Sequence, residues 1–229
     1  MISPLLTNVY LHYVLDLWVQ AWREKSADGG VTLVRYADDF VLGFEHRSEA
    51  GRFLEELRER LAKFGLELHP AKTRLIELGR WALAKRRGRG EGKPETCGFL
   101  GFTHICEINR KSGRFVVRRK TARKRMRAKL VEIKKQLRAR MHASPSETGE
   151  WPRRVVRGYF QYHGVPGNRR TLQGFRWALA RHWRRTPRRR GQKRRMNWGR
   201  FYRLLDCYLP PPRCCHPFPS VRFAATHPR

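Results

Sequence analysis

Residues Tyr36-Ala37-Asp38-Asp39 sit between two apolar runs, Val-Thr-Leu-Val at 31–34 and Phe-Val-Leu-Gly-Phe at 40–44. Two adjacent carboxylates at the tip of a strand-turn-strand unit offer hard oxygen ligands to divalent cations, which can hold a triphosphate in place. That is the central demand of nucleotidyl transfer, so polymerase chemistry is the first hypothesis these residues raise. The alternative is an ordinary hairpin whose turn is Asp-Asp, because Asp is a favoured turn residue in any protein. Alternation along a strand points neighbouring side chains to opposite faces. Unequal roles follow, with Asp38 the direct metal ligand and Asp39 its support.

The elements that must position this pair are legible on either side. Ser3-Pro4 reads as a helix start, and Leu6, Val9, Tyr10, Tyr13 and Leu17 then recur at helical spacing, a broad apolar face that has to pack on something. Ser48-Glu49 opens a second helix with Phe53, Leu57, Leu61 and Phe64 on one face and Gly65 at its end. A short strand is expected at 66–68, with 73–77 as its neighbour. Residues 80–95 carry Gly, Lys and Arg without an apolar period and read as a mobile basic loop. Gly98-Phe99-Leu100-Gly101-Phe102 reads as a strand, and 107–109 with 114–118 as a hairpin closed around Lys111-Ser112-Gly113. From Thr121 the period becomes helical. Met126, Leu130, Ile133, Leu137 and Met141 form one apolar stripe on an otherwise basic helix. Pro145 ends that run, and helical patterns return around Val155, Val156, Tyr159 and Phe160, around Leu172, Phe175 and Leu179, and around Trp198, Phe201, Leu204 and Leu205. Prolines from 210 onward deny a further helix.

Charge identifies the kind of partner. The 229 residues hold 51 Lys+Arg against 19 Asp+Glu, a net +32. Residues 1–79 hold 10 Lys+Arg and 12 Asp+Glu, leaving 41 against 7 in residues 80–229, so the later part has the balance of a polyanion-binding surface. Its sharpest basic run, 184–195, makes Arg184, Arg185, Arg188, Arg189, Arg190, Lys193, Arg194 and Arg195 the expected phosphate contacts. Tyr159, Phe160, Tyr162, Trp177, Trp183 and Trp198 lie among these cations, and most of them are expected in a core. No segment approaches the ~20 apolar residues of a membrane span, so no membrane partner and a cytoplasmic location are expected. The five cysteines form no Cys-x-x-Cys pair, which disfavours a disulfide framework or a zinc site. Cys214-Cys215-His216 is the one stretch suited to opportunistic metal binding.

In the order of its blocks the chain resembles the later half of a group II intron-encoded reverse transcriptase. Residues 3–11, Ser-Pro-Leu-Leu-Thr-Asn-Val-Tyr-Leu, resemble the palm helix that follows the family's Gln-Gly-Gly segment, and Tyr36-Ala37-Asp38-Asp39 matches its metal-binding motif. Residues 66–73, Leu-Glu-Leu-His-Pro-Ala-Lys-Thr, look like the next block, whose lysine recurs in polymerases. Phe99-Leu100-Gly101-Phe102 resembles the primer-grip hairpin. Residues 154–160 through Pro166-Gly167-Asn168 resemble the maturase region, domain X, that follows the helical thumb. The implied fold is α+β: a partial palm of antiparallel strands with packing helices over 1–120, then an all-α part, the start of the thumb at 121–145 and the maturase-like region at 146–229. The implied cofactor is Mg²⁺ on Asp38 and Asp39. Lys72 is implied as a proton donor to pyrophosphate or a phosphate-binding lysine, and Leu100 and Gly101 as the primer grip. The implied partners are intron RNA and an RNA template with a DNA primer.

The departures from the family carry equal weight. The fingers, the earlier palm strand with a third aspartate and the Gln-Gly-Gly segment have no counterpart in the chain, and neither has the cysteine-paired HNH domain of some relatives. The expectation is an N-terminally truncated copy with half a metal site, inactive alone and dependent on a missing or separately encoded N-terminal half. The competing reading is a non-catalytic RNA-binding cofactor of splicing. A helix-turn-helix DNA-binding regulator accounts for the charge but not for Tyr-Ala-Asp-Asp. A retron-type enzyme fits poorly with the long basic extension.

Overall fold

A helical run begins at Ser3, where Pro4 supplies the fixed φ of a first turn. The computed structural model describes residues 3–110, 112–143, 145–186, 197–219 and 221. It resolves into two units, Met1–Glu77 and Leu78–Arg229, each with its own core.

In the first unit the helical run comprises α1 (Ser3–Leu11), a π-helical turn (His12–Asp16) and α2 (Leu17–Ser26). It packs with α3 (Arg47–Ala62) on an antiparallel hairpin, β1 (Val31–Tyr36) and β2 (Asp39–Phe44). Strand alternation sends Leu33, Phe40, Leu42 and Phe44 toward the core, where Trp22, Phe44 and Phe53 meet ring to ring at 4.9–6.0 Å. The α3 stripe Phe53, Leu57 and Leu61 is buried as its spacing predicts. Gly65 ends that helix at φ +66, a conformation that costs a side-chain-bearing residue about 1 kcal/mol.

The apolar face predicted for the first helix behaves differently. Val14, Leu15, Val19 and Trp22 are the buried residues, whereas Leu6 and Tyr13 remain 60% and 64% exposed. The hairpin and α3 cover one side of the helical run only, and a two-stranded sheet is too narrow to cover both. The strands expected at 66–68 and 73–77 do not form. Leu66 and Leu68 pack against the core, but β1 and β2 pair only with each other, so these residues have no ladder to join.

In the second unit the basic stretch 80–95 is not wholly a loop. Its first part is α4 (Arg80–Gly88), which buries Ala82. A three-stranded antiparallel meander follows, β3 (Cys97–Phe99), β4 (Phe102–Ile108) and β5 (Phe115–Thr121). The run 98–102 is thus not one strand, because Leu100-Gly101 turns the chain back. The β4–β5 hairpin is longer than its sequence signal, with Asn109 bonded to Arg114 across its end. Of its expected closing residues, Lys111 lies outside the described ones. Among the described residues four longer helices follow, α5 (Arg123–Ala139), α6 (Pro145–His163), α7 (Arg169–Arg185) and α8 (Trp198–Tyr208). Pro219 and Val221 are also helical, so the prolines from 210 onward do not deny a further helix as expected, because proline is compatible with a first helical turn. Ile133 and Leu137, Val156 and Phe160, Leu172, Phe175 and Leu179, and Phe201 and Leu205 make one core, the stripes that the helical spacing predicts. The chain is therefore α+β. Among the described residues no helix is long and apolar enough to cross a membrane.

Asn168, wholly buried, joins sheet to helices in this unit. Its Oδ1 accepts from the Thr121 amide at 3.2 Å, and its Nδ2 donates to Thr121 Oγ1 at 2.8 Å and to the His163 carbonyl at 2.9 Å. Burial, reinforced by the Arg125 guanidinium, pushes the His163 pKa down to about 4. The folded state thus disfavours the charged ring, and stability present above the unfolded value of about 6.5 is lost as pH falls toward 4. Urea denaturation between pH 7 and 4.5 should show a loss of up to about 1 kcal/mol per pH unit, and His163→Gln should flatten it. An unchanged acid loss in that variant would exclude His163 as the cause.

Candidate functional site

The Asp38–Asp39 pair is built from a two-residue loop. Tyr36 pairs with Asp39, leaving Ala37 and Asp38 as the loop, and Ala37 takes φ +54. A positive φ at the first loop position is the sign pattern of a type II′ turn, where glycine is the expected residue. Asp39 is therefore not part of an Asp-Asp turn. It is the first residue of β2, on the face opposite Phe40, Leu42 and Phe44, and both carboxylates are exposed. Tyr36, its cross-strand neighbour, is 66% exposed on that face.

Arg35 holds the loop to the helical run. Its Nε and Nη2 donate to the two carboxylate oxygens of Asp16 at 2.8 and 2.6 Å, and its Nη1 donates to Asn8 Oδ1 and to the Ala37 carbonyl, both at 3.0 Å. The hydrogen bonds from Arg35 keep the Asp16 pKa below the usual carboxylate value, against an opposing effect of burial. Neither Arg35, Asp16 nor Asn8 stood out in the sequence. The available signal was the arginine alternating onto the core face of an apolar strand, where a charge needs a partner.

Two hard-oxygen donors fit a magnesium ion that keeps several waters. Among the described residues no group of three or more His, Cys, Asp or Glu side chains gathers where a metal could be held, at Asp38 and Asp39 or elsewhere. Cys214 and Cys215 are exposed thiols, and the ring of His216 is engaged by the Gln161 carbonyl at 2.7 Å. Lys72 stands exposed on the turn after Pro70, where its amide and that of Thr73 both donate to the His69 carbonyl.

In the second unit Leu100 and Gly101 occupy the β3–β4 loop at φ +47 and +79, a type I′ pattern that glycine satisfies at the second position without strain. Tyr162 Oη donates to the Leu100 carbonyl at 2.8 Å and its ring stacks on Phe102 at 5.7 Å. The Ala122 amide donates to the Gly101 carbonyl at 2.9 Å. Arg184 and Arg185 form the last turn of α7, where cations complement the helix carboxyl end. Arg188, Arg189, Arg190, Lys193, Arg194 and Arg195 lie outside the described residues. Of the aromatics, Phe160 and Trp183 are core, whereas Tyr162, Trp177 and Trp198 are exposed.

The hairpin, backed by helices, presents two exposed carboxylates whose oxygens are the donor type that hard divalent cations prefer. Residues 1–104 match the family described as "Reverse transcriptase (RNA-dependent DNA polymerase)", a span that includes the helical run, the Asp38–Asp39 hairpin, α3 and the Leu100-Gly101 loop. The match supports the reverse transcriptase family for this stretch, and that family implies template and primer nucleic acid as partners. No curated protein matches the chain.

Breaking the Arg35 fork should be costly because it strands a half-buried carboxylate. Arg35→Met is expected to lower unfolding free energy by about 2 kcal/mol, and Arg35→Lys should recover little, since an ammonium cannot make the two parallel bonds. Urea melts of both variants check this, and full recovery by lysine would refute the fork's importance.

Proposed function

We propose that this chain is part of an RNA-directed DNA polymerase with maturase function of the group II intron kind. In this reading Asp38 and Asp39 bind Mg²⁺, and the cationic helical part binds intron RNA for splicing. When bound, the metal activates a primer hydroxyl and steadies the leaving pyrophosphate. Asp38 is the direct ligand and Asp39 its support. Lys72 serves the pyrophosphate, Leu100 and Gly101 carry the primer strand, and the arginines from Arg184 onward meet phosphates.

The observation that carries this reading is the loop itself. An ordinary hairpin turn favours Gly, Asn or Asp where φ is positive, yet that position holds Ala37, at a cost of about 1 kcal/mol. Asp38 takes the other loop position, which turn chemistry also favours for Asp, but Asp39 begins the strand and stands where turn chemistry does not call for a carboxylate. A second reading, a non-catalytic RNA-binding cofactor of splicing, is favoured by the lack of a third ligand beside the pair among the described residues. A metal held by two exposed carboxylates is weakly held, so polymerisation by these 229 residues alone is not expected.

The test combines three measurements on the purified chain. Manganese titration followed by electron paramagnetic resonance should detect a weak site that Asp38→Asn removes and Asp39→Asn weakens. Binding to a group II intron RNA should weaken steeply with salt, and replacing Arg184, Arg185, Arg188 and Arg189 together should reduce that slope by about 3–4. Intron splicing at low magnesium should accelerate on adding the chain, without primer extension. Metal binding indifferent to Asp38 would remove the polymerase ancestry of the site, and salt-insensitive RNA binding would remove the RNA reading. Template-dependent synthesis lost in Asp38→Asn would overturn the expected inactivity.

A further inference from the structure

Three large aromatic rings stand exposed together on the outer side of α7 and α8. Trp177, Trp198 and Tyr202 are 40%, 48% and 44% exposed. Trp198 and Tyr202, four residues apart on α8, lie stacked with centroids 5.6 Å apart and planes 24° apart. Trp177 of α7 meets Tyr202 edge-on at 6.4 Å. The Arg184 guanidinium lies 3.2 Å from the Trp198 ring centroid. On α7, Trp177, Arg181 and Arg184 are spaced i, i+4, i+7 and so share one face.

This array is not needed to close the core. Phe201 and Leu205 of α8 and Leu179 and Trp183 of α7 are buried in the unit's shared core, where the Trp183 and Phe201 rings meet at 5.8 Å. Rings placed outside a filled core, among cations, have two things to offer a ligand: flat π faces and phosphate-neutralising charge. A protein partner recognised by apolar area would meet the guanidinium groups of Arg184 over Trp198 and Arg176 over Trp177. The one acidic residue on α7 and α8, Asp206, is engaged by Arg176 at 3.4 Å.

We propose that Trp177, Trp198 and Tyr202 form a stacking platform for unpaired bases of a single-stranded RNA segment, with Arg181 and Arg184 on the adjoining phosphates. The assignment to RNA rests on the function proposed above. Because the Arg184 guanidinium already lies over the Trp198 ring, a nucleobase extends the Trp198–Tyr202 stack from its Tyr202 side. The binding is tolerant of base identity because every base presents a π face. The charge of residues 80–229, 41 Lys+Arg against 7 Asp+Glu, supplies the complementary field.

The experiment uses the full chain and a fluorescein-labelled 15-nucleotide oligoribonucleotide, with an abasic oligomer of the same length and charge as control. Trp198→Ala and Tyr202→Ala are each expected to weaken binding of the base-containing oligomer by about five- to fifty-fold. Neither should change binding of the abasic oligomer or the salt slope, and Tyr202→Phe should retain wild-type affinity. Circular dichroism melts identify any variant that fails to fold, and because the two alanine changes are independent, one folded variant suffices. Equal weakening for both oligomers, or no weakening in a folded variant, overturns the platform while leaving the general RNA reading standing. Failure of the wild-type chain to bind either oligomer sinks the RNA reading itself. A deoxyribo-oligomer bound more tightly than its ribo counterpart overturns the assignment to RNA, and tryptophan quenching by anionic vesicles without oligomer binding overturns it in favour of a lipid surface.

Discussion

One guanidinium joins the parts of the first unit that matter for chemistry. Arg35 leaves the core face of β1, forks onto Asp16 and spans from Asn8 to the carbonyl of Ala37. A lysine in its place could not do this, because a point charge lacks the planar fork that satisfies two carboxylate oxygens and a carbonyl together. Asp16 is the last residue of the π-helical turn, and the irregularity falls where the helix must deliver a carboxylate to the strand end. The strained φ of Ala37 persists because its carbonyl is held from the core side. Strain of this kind survives only where neighbouring groups over-determine it. The carboxylates of Asp38 and Asp39 are thereby fixed to a rigid base while remaining open to solvent.

The second unit solves a similar problem by different means. The Leu100-Gly101 loop has both residues in the left-handed region, and its two carbonyls are taken by Tyr162 and by the Ala122 amide. Asn168 then ties Thr121, at the end of β5, to the carboxyl end of α6. The β3–β4 loop is thus referenced to the helical core rather than to its own short strands. A three-residue strand such as β3 is too short to hold a loop by itself, so the helices supply the rigidity.

Where burial follows a period, the sequence was legible. The stripes of α3, α5, α6, α7 and α8 were readable because each helix buries one face in a core contributed by its own unit. The first helix broke this logic. Its apolar residues occupy two sides, and hydrophobic spacing cannot say which side a narrow hairpin will cover. The strand expected at 66–68 failed for a related reason, since alternation registers burial, and Leu66 and Leu68 are partly buried without a ladder. Residues 80–88 were obscured by charge, because a short basic helix burying chiefly Ala82 leaves almost no apolar period. In the candidate site the two aspartates were visible as an adjacent pair. Arg35 was not, because its role depends on the long-range approach of Asp16. Most of the aromatics from Tyr159 to Trp198 were expected in a core, yet Tyr162, Trp177 and Trp198 are exposed, since aromatic spacing on a helix does not distinguish a packed ring from one left outside a core that is already full.

The distribution of charge adds a constraint that neither core contains. The second unit packs its helices with few acidic partners. On α5, Glu132 is the one acid, paired with Lys129 at 3.0 Å, among many cations. Like charges held on a compact scaffold repel one another, and salt relieves that repulsion only beyond the Debye length of about 8 Å at physiological ionic strength. The folded state carries this cost whether or not a partner is present. A polyanion that binds the folded arrangement relieves it and adds the free energy of released counterions, so binding and folding of this unit are thermodynamically linked. Selection for stability alone would have interspersed acids, as in residues 1–79, where 12 Asp+Glu balance 10 Lys+Arg. The two parts of one chain thus follow opposite rules, and the proposed function accounts for that difference by assigning a cation to the Asp38–Asp39 loop and a phosphate backbone to the helices.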